Sequence, residues 1–368
     1  MSERLFLGLI SGTSMDGVDT ALVAIDGDRI ELRTAHCFAY PDELRARLGR
    51  AIADPTSVNV IDLGRLDAAV GDFFGECAVS LADEAGISLG DVTAIGSHGQ
   101  TIYHDIESSP VITQQIGDPN RIAEATGRPV VADLRRRDTA AGGQGAPLAS
   151  ALHAAVLRDD SENRAVLNLG GIANLTLLPA AAGQAVIGFD SGPASCLLDE
   201  WIHEHQGRPM DMDGRWAVSG EADDDLLAAL LEDPYFELAP PKSTGREHFN
   251  LNWLRRYPVD DREPEDVQAT LLKLTTETVA RALEAWFPTC DRLLACGGGT
   301  HNPALMDALG ERLPDLSVET TDDYGLDPDW VEAMLFAWLA ERRLANAPGN
   351  LPEVTGAAGE RVLGASYF

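Results

Sequence analysis

At 368 residues the chain exceeds what one hydrophobic core usually serves, so two domains with a cleft between them are expected. Its formal net charge of −31 argues against nucleic acid or an anionic membrane as partner, because both bind basic surfaces. An apolar content of 45% is ordinary for a soluble globular protein, no apolar run approaches the ~18 to 20 residues of a membrane span, and the N-terminus lacks the features of a signal peptide, which predicts a cytoplasmic protein.

Cys37, Cys77, Cys196, Cys290 and Cys296 are odd in number and include no C-x-x-C pair, so neither a disulfide framework nor a structural zinc site is indicated. Lys242 and Lys273 are the only lysines. An anionic substrate would therefore rely on arginines, backbone amides, helix N-termini and magnesium.

In chain order, strands are predicted at Arg4–Ile10, Thr20–Asp26 and Ile30–Cys37, helices over Asp42–Ala53 and Val60–Glu84, and a strand at Val92–Gly96. Between the first two strands lies Ser11-Gly-Thr-Ser-Met-Asp-Gly-Val-Asp19. Gly12 and Gly17 let backbone N–H groups converge on an anion, the hydroxyls of Thr13 and Ser14 add donors, and Asp16 could hold a magnesium ion. The same stretch reads equally well as a hairpin loop whose hydroxyls cap its own backbone.

The order strand, small-residue loop, strand then recurs. Ala165–Leu169 and Thr176–Leu178 flank Gly170-Gly-Ile-Ala-Asn174, and Ala185–Phe189 runs into Asp190-Ser-Gly-Pro193. Helices follow near Ala194–His205, Asp223–Leu231 and Pro264–Trp286. The strand Arg292–Ala295 enters Cys296-Gly-Gly-Gly-Thr-His-Asn302, with Pro303 suited to the first position of a helix. The last helix, Asp329–Arg343, carries Glu332 in an otherwise apolar sequence, and the polar segment Lys242–His248 reads only as a loop before a helix. No repeat with a period of 20 to 50 residues is visible, which sets solenoids and propellers aside.

Three glycine turns thus follow strands: Gly12–Gly17, Asn168–Asn174 and Gly297–Thr300. Their duplication points to a nucleotide gripped from both sides, and neither a P-loop nor a G-x-G-x-x-G fingerprint is present. The pattern resembles the α/β, two-lobed actin/hexokinase/Hsp70-like ATPase fold, with duplicated mixed-sheet domains around a nucleotide cleft. The boundaries expected are an N-terminal lobe over 1–140, joined by the C-terminal segment 345–368, and a C-terminal lobe over 141–344.

The motifs carry the likeness further. Ser11–Asp19, Gly96-Ser-His-Gly-Gln-Thr101, Val131-Ala-Asp-Leu-Arg135 with Gly142-Gly-Gln-Gly-Ala-Pro147, Asn168–Asn174, Phe189-Asp-Ser-Gly-Pro193 and Cys296–Pro303 together resemble the anhydro-N-acetylmuramic acid kinase family, in order, from residue 5 to about residue 340. One mild departure, Ala-Ser after Phe-Asp-Ser-Gly-Pro where Thr and Asn are more usual, leaves the carboxylate and the glycine in place.

The resemblance implies an ATP- and Mg2+-dependent kinase of cell-wall recycling. It would phosphorylate O6 of a 1,6-anhydro amino sugar while water opens the bridge, giving N-acetylmuramic acid 6-phosphate. Gly12, Thr13, Ser14, Met15, Asp16, Gly17, Val18 and Asp19 would then form one phosphate loop, with Asp16 as the magnesium handler. Asn168, Gly170 and Gly171 would form the second, and Gly297, Gly298 and Gly299 the adenosine turn. A bridged O6 carries no proton, so the base acts on the attacking water.

Asp190 is the candidate base; from sequence alone, capping the helix near Pro193 is the commoner role for such an Asp, and the resemblance assigns it to catalysis. Arg135 is the candidate grip for the substrate carboxylate because its fork can hold both oxygens, although three consecutive arginines are also an ordinary surface run. Asp133, which ends a strand, and His98 with Gln100, in a glycine-bracketed turn, are further sugar-site candidates, as is Glu332; structural roles compete for each.

An ordinary sugar kinase acting on a free hydroxyl is the main alternative. A non-enzymatic sugar sensor and an Hsp70-like chaperone are disfavoured because no helix-turn-helix, basic or peptide-binding extension is present in the sequence. The partners expected are an amino sugar and ATP, and a homodimer stays open.

Overall fold

Residues 6–11 and 20–25 are buried in succession rather than alternation, the pattern of strands covered on both faces. The structure, a computed structural model, describes residues 3–12, 15, 17–27, 29–181 and 183–368. Among them the strands are β1 (Arg4–Ser11), β2 (Gly17–Asp26), β3 (Arg29–Ala39), β4 (Val92–Asp105), β5 (Ile112–Ile116) and β6 (Val130–Ala132). They continue with β7 (Arg164–Leu169), β8 (Ile172–Leu178), β9 (Ile187–Pro193), β10 (Arg292–Cys296), β11 (Ser317–Thr320) and β12 (Ala365–Tyr367).

These strands build the same sheet twice. In the first, β1, β2 and β3 form an antiparallel meander, β4 lies parallel to β1 on its other side, and β6 lies parallel to β4. In the second, β7, β8 and β9 form the meander, β10 lies parallel to β7, and β11 lies parallel to β10. The order β3-β2-β1-β4-β6 is thus repeated as β9-β8-β7-β10-β11. The first sheet alone adds β12 beside β6 and β5 beside the far half of β4.

The contacts divide the chain into one unit of residues 1–156 with Tyr324–Phe368 and another of Leu157–Asp323. Each has its own core: Leu7, Leu22, Val70, Phe74 and Ile95 lie in the first, and Leu167, Phe189, Trp201, Leu274 and Leu293 in the second. These contact boundaries differ from the expected 140 and 344, and the helices Ala149–Leu157 and Val331–Leu344 lie essentially in the first unit. The second of these packs on β1 and β4 at backbone distance, because a Cβ on Gly8 would collide with Ala333 O and one on Gly96 with Phe336 O.

That packing also corrects the reading of residues 96–101. Gly96 and Gly99 looked like turn formers, yet β4 runs on to Asp105 and carries His98 and Gln100 within the strand. Other boundaries follow the sequence closely. Asn59 caps Val60–Glu84 by accepting from the N–H groups of Ile61 and Asp62, and Asn302 caps Pro303–Arg312 with Pro303 at its first position.

Candidate active site

In the first unit, the chain leaves β1 at Ser11, which pairs in register with Gln100 of β4. Ser11 Oγ donates to Gln100 Oε1 at 2.6 Å, and Gln100 Nε2 donates to Gly12 O at 3.3 Å and Thr101 O at 3.1 Å. Gln100 is wholly buried and its amide is used at both ends, so it braces the start of the glycine turn. Met15 closes that turn by donating its N–H to Gly12 O at a φ of +54°, while its side chain packs on the core of the unit. Thr13, Ser14 and Asp16 lie outside the described residues. Gly17 is required by close packing, since a Cβ there would crowd Phe38 O; Val18 is a core residue.

His98, Arg135 and Glu332 come together. His98 Nδ1 lies 2.9 Å from Gly99 O, and Nε2 accepts from Arg135 Nε at 2.9 Å, which fixes the tautomer with the proton on Nδ1. Burial, reinforced by the charge of Arg135, holds the His98 pKa well below the usual histidine range, so the ring is neutral. Arg135 Nη1 donates to Gly145 O at 2.8 Å, and among the described residues the two Nη2 hydrogens and one on Nη1 are left for a ligand. Glu332 is solvent-accessible yet closely surrounded: desolvation raises its carboxyl pKa, the Arg135 charge draws it down, and the Asp19 charge raises it again. Asp19 sits on β2, paired with Ile10 and Cys37.

Asp133 bonds outside this cluster and meets it only across a cavity that His98 also lines. It adopts a φ of +57°, a strained conformation for a non-glycine residue, and its carboxylate accepts from Arg136 Nε at 2.6 Å. Asp133 and Arg136 line this cavity of about 310 Å³ with Ser97, whose buried hydroxyl has no hydrogen-bond partner among the described residues. The glycine segment 142–145 is pinned by buried Asp138, which accepts from Gly145 N, Asn350 Nδ2 and Thr355 Oγ1.

In the second unit, the ends of β7 and β10 lie side by side, with Asn168 and Cys296 in register. This brings two glycine turns together. Gly297 has a φ of +84°, and a Cβ there would strike Asn168 Oδ1; one on Gly299 would crowd Leu169. Gly298 has open space around its Cα. The carbonyls of Gly170 and Gly171 accept from the N–H groups of Ala194, Ser195 and Cys196, which fixes the turn against the helix Ser195–Gln206.

Asp190 stands within β9, opposite Asn174 of β8. Asn174 Nδ2 donates to Oδ1 at 2.8 Å and the Thr244 N–H donates to Oδ2 at 2.9 Å. The residue before the helix is Ala194, with no side-chain cap, so Asp190 is not the helix cap. Burial raises its pKa; the two hydrogen bonds lower it, the Glu247 charge raises it and the Lys242 charge lowers it. A carboxylate bonded once at each oxygen keeps lone pairs for a further donor.

The segment Lys242–His248, unassigned from sequence, frames this aspartate. Besides Thr244, the Lys242 carbonyl accepts from Asp190 N, and Tyr235 Oη donates to Asp190 O. Lys242 Nζ donates to Tyr235 O and lies 4.5 Å from the centre of the Tyr235 ring. The available signal was its composition, since the segment holds one of only two lysines in a strongly acidic chain. Among the described residues no three His, Cys, Asp or Glu side chains gather as a metal site, and no helix is long and apolar enough to cross a membrane.

Two sheets of one strand order, with glycine turns at their strand ends, define a duplicated α/β class of protein. Within that class, the profile of the anhydro-N-acetylmuramic acid kinase family matches residues 4–368. Relatives bearing that name include one from Xanthomonas campestris pv. campestris, 53% identical over 99% of this chain and 97% of its own length. Others come from Xylella fastidiosa, 52% identical over 99% and 96%, and from Coxiella burnetii, 47% identical over 100% and 98%. The chain belongs to the anhydro-N-acetylmuramic acid kinase family.

Proposed function

We propose that the protein transfers the γ-phosphoryl group of ATP to O6 of anhydro-N-acetylmuramic acid while water opens the 1,6-anhydro bridge. The products are N-acetylmuramic acid 6-phosphate and ADP, and the reaction belongs to cell-wall recycling in the cytoplasm. Membership of the family supports the acceptor and the donor.

Asp190 is the observation that carries the mechanism. The bridging O6 has no proton to lose, so the base must act on water. Asp190, held at both oxygens and made more basic by burial, takes that proton as the water oxygen bonds to the anomeric carbon. The bond from the anomeric carbon to O6 breaks, O6 gains its electron pair and attacks the γ-phosphorus, and ADP departs. The proton on Asp190 then passes to solvent.

The turns at Asn168–Gly171 and Gly297–Gly299 suit the phosphates and the adenosine, with Gly12–Asp19 as the other phosphate loop. Arg135, with three donor hydrogens unspent, suits the lactyl carboxylate, and Glu332 suits a sugar hydroxyl. Magnesium, when bound, would shield the phosphate charge, and Asp16 of the Gly12–Asp19 loop, which lies outside the described residues, would hold it through water.

Turnover of the anhydro sugar with ATP in ¹⁸O-water tests the reading. The label is expected at the anomeric carbon of promptly quenched product, and Asp190→Asn should abolish both phosphorylation and labelling. Equal phosphorylation of the free sugar, without dependence on bridge opening, would make this an ordinary sugar kinase.

A further inference from the structure

The segment Lys242–His248 does more than hold the base. Its Arg246 guanidinium lies over the Gly170-Gly171 turn, where a Cβ on Gly171 would stand 3.2 Å from Nε and 3.3 Å from Nη2. Other arginines of the second unit end on carboxylates: Arg164 and Arg292 on Glu162, Arg262 on Asp223, and Arg312 on Glu277. The Arg246 carbonyl accepts from Asn250 Nδ2, but its guanidinium makes no hydrogen bond or ion pair to a described residue, although its charge is felt by Asp199 and Cys196 nearby. The two lysines are already engaged, Lys242 on the carbonyls of Tyr235 and Phe236 and Lys273 on Asp224. In a chain of net charge −31, a guanidinium bonded to none of the described residues thus lies on a glycine turn.

We propose that Arg246 binds the γ-phosphoryl oxygens of ATP at the Gly170-Gly171 turn. The inference rests on the kinase reading given above. It makes residues 242–248 a single device: the Thr244 N–H fixes the base, and two residues later a guanidinium receives the charge of the group being transferred. A side chain on Gly171 would press on that guanidinium and displace it by a few tenths of an ångström.

The test uses the full-length protein and Arg246→Ala, with Arg246→Lys alongside. Calorimetry should show ATP binding weakened about tenfold in R246A while ADP binding changes less than about threefold, a selectivity that general loop damage would not produce. With the anhydro sugar, kcat should fall about a hundredfold or more, with the sugar KM little changed, and R246K or added guanidinium ion should restore part of it. Because Arg246 is exposed, the melting temperature should stay at the wild-type value.

Unaltered ATP affinity and turnover in R246A would overturn the proposal. So would a loss confined to the lactyl-bearing sugar with 1,6-anhydro-N-acetylglucosamine turned over as by wild type, since Arg246 would then grip the substrate carboxylate. The ATP-to-ADP comparison needs no acceptor, so an error in the assigned sugar would leave this test intact.

Discussion

The Thr244 N–H donates to Asp190 Oδ2 at 2.9 Å, joining a loop to a strand residue 54 positions earlier, while Asn174 holds the other oxygen. Both bonds stabilise the ionised carboxylate against a burial that opposes it. Asn174→Ala removes one of them and raises the Asp190 pKa further. The acid limb of kcat/KM should move to higher pH, and the plateau should fall about tenfold. A pH–rate profile with an unmoved limb would show that Asn174 does not tune the base.

Gln100 is expected to act through the first glycine turn without touching substrate. Gln100→Leu leaves Ser11 Oγ, Gly12 O and Thr101 O without their partner in a buried setting. The cost should be about 2 to 3 kcal/mol by denaturant unfolding. The KM for ATP should rise, and the sugar KM should rise less.

Gly297→Ala meets two obstacles at once, a φ of +84° and the Asn168 side chain. Destabilisation of about 1 to 3 kcal/mol is expected, together with weaker nucleotide binding as Asn168 is displaced. Gly310→Ala, within the helix that follows and with open space around its Cα, serves as the control and should bind ATP as wild type does.

Stability should fall on acidification because two histidines of the first unit are buried uncharged. Burial lowers the His153 pKa from 6.5 to about 4, and that of His98 falls well below 6.5. The unfolded chain takes up these protons below pH 6.5 while the folded chain does not, so stability is fully present above that value and drains as pH falls towards the folded pKa. His153 alone should cost about 2 kcal/mol at pH 5 relative to pH 8. Unfolding curves of His153→Gln across that range should be flatter than those of the wild type by about that amount.

Much of this was legible from residue order. The duplicated strand pattern and the glycine turns at 170 and 297 could be read because strand runs and tight turns have local signatures. Asp190 could be singled out from its motif, but Asn174 and Thr244 could not be assigned as its partners, since a cross-strand neighbour and a backbone N–H from a distant loop leave no mark in composition. His98 and Gln100 were misplaced for a related reason. Gly96 is a glycine because of a helix more than 200 residues later, not because the chain turns there. The same contact explains why the sequence does not tell which sheet Val331–Leu344 covers: its apolar length announces burial without naming the sheet that buries it.

The absence of side chains at Gly8 and Gly96 has a consequence well away from either residue. The helix bearing Glu332 rests with its Ala333 and Phe336 carbonyls where two methyl groups would otherwise stand. The spacing between the carboxylate of Glu332 and the guanidinium of Arg135 is therefore gauged by hydrogen atoms on two buried strands. An alanine at either place acts as a shim: it lifts one charge from the other while leaving every residue of the candidate sugar site chemically intact.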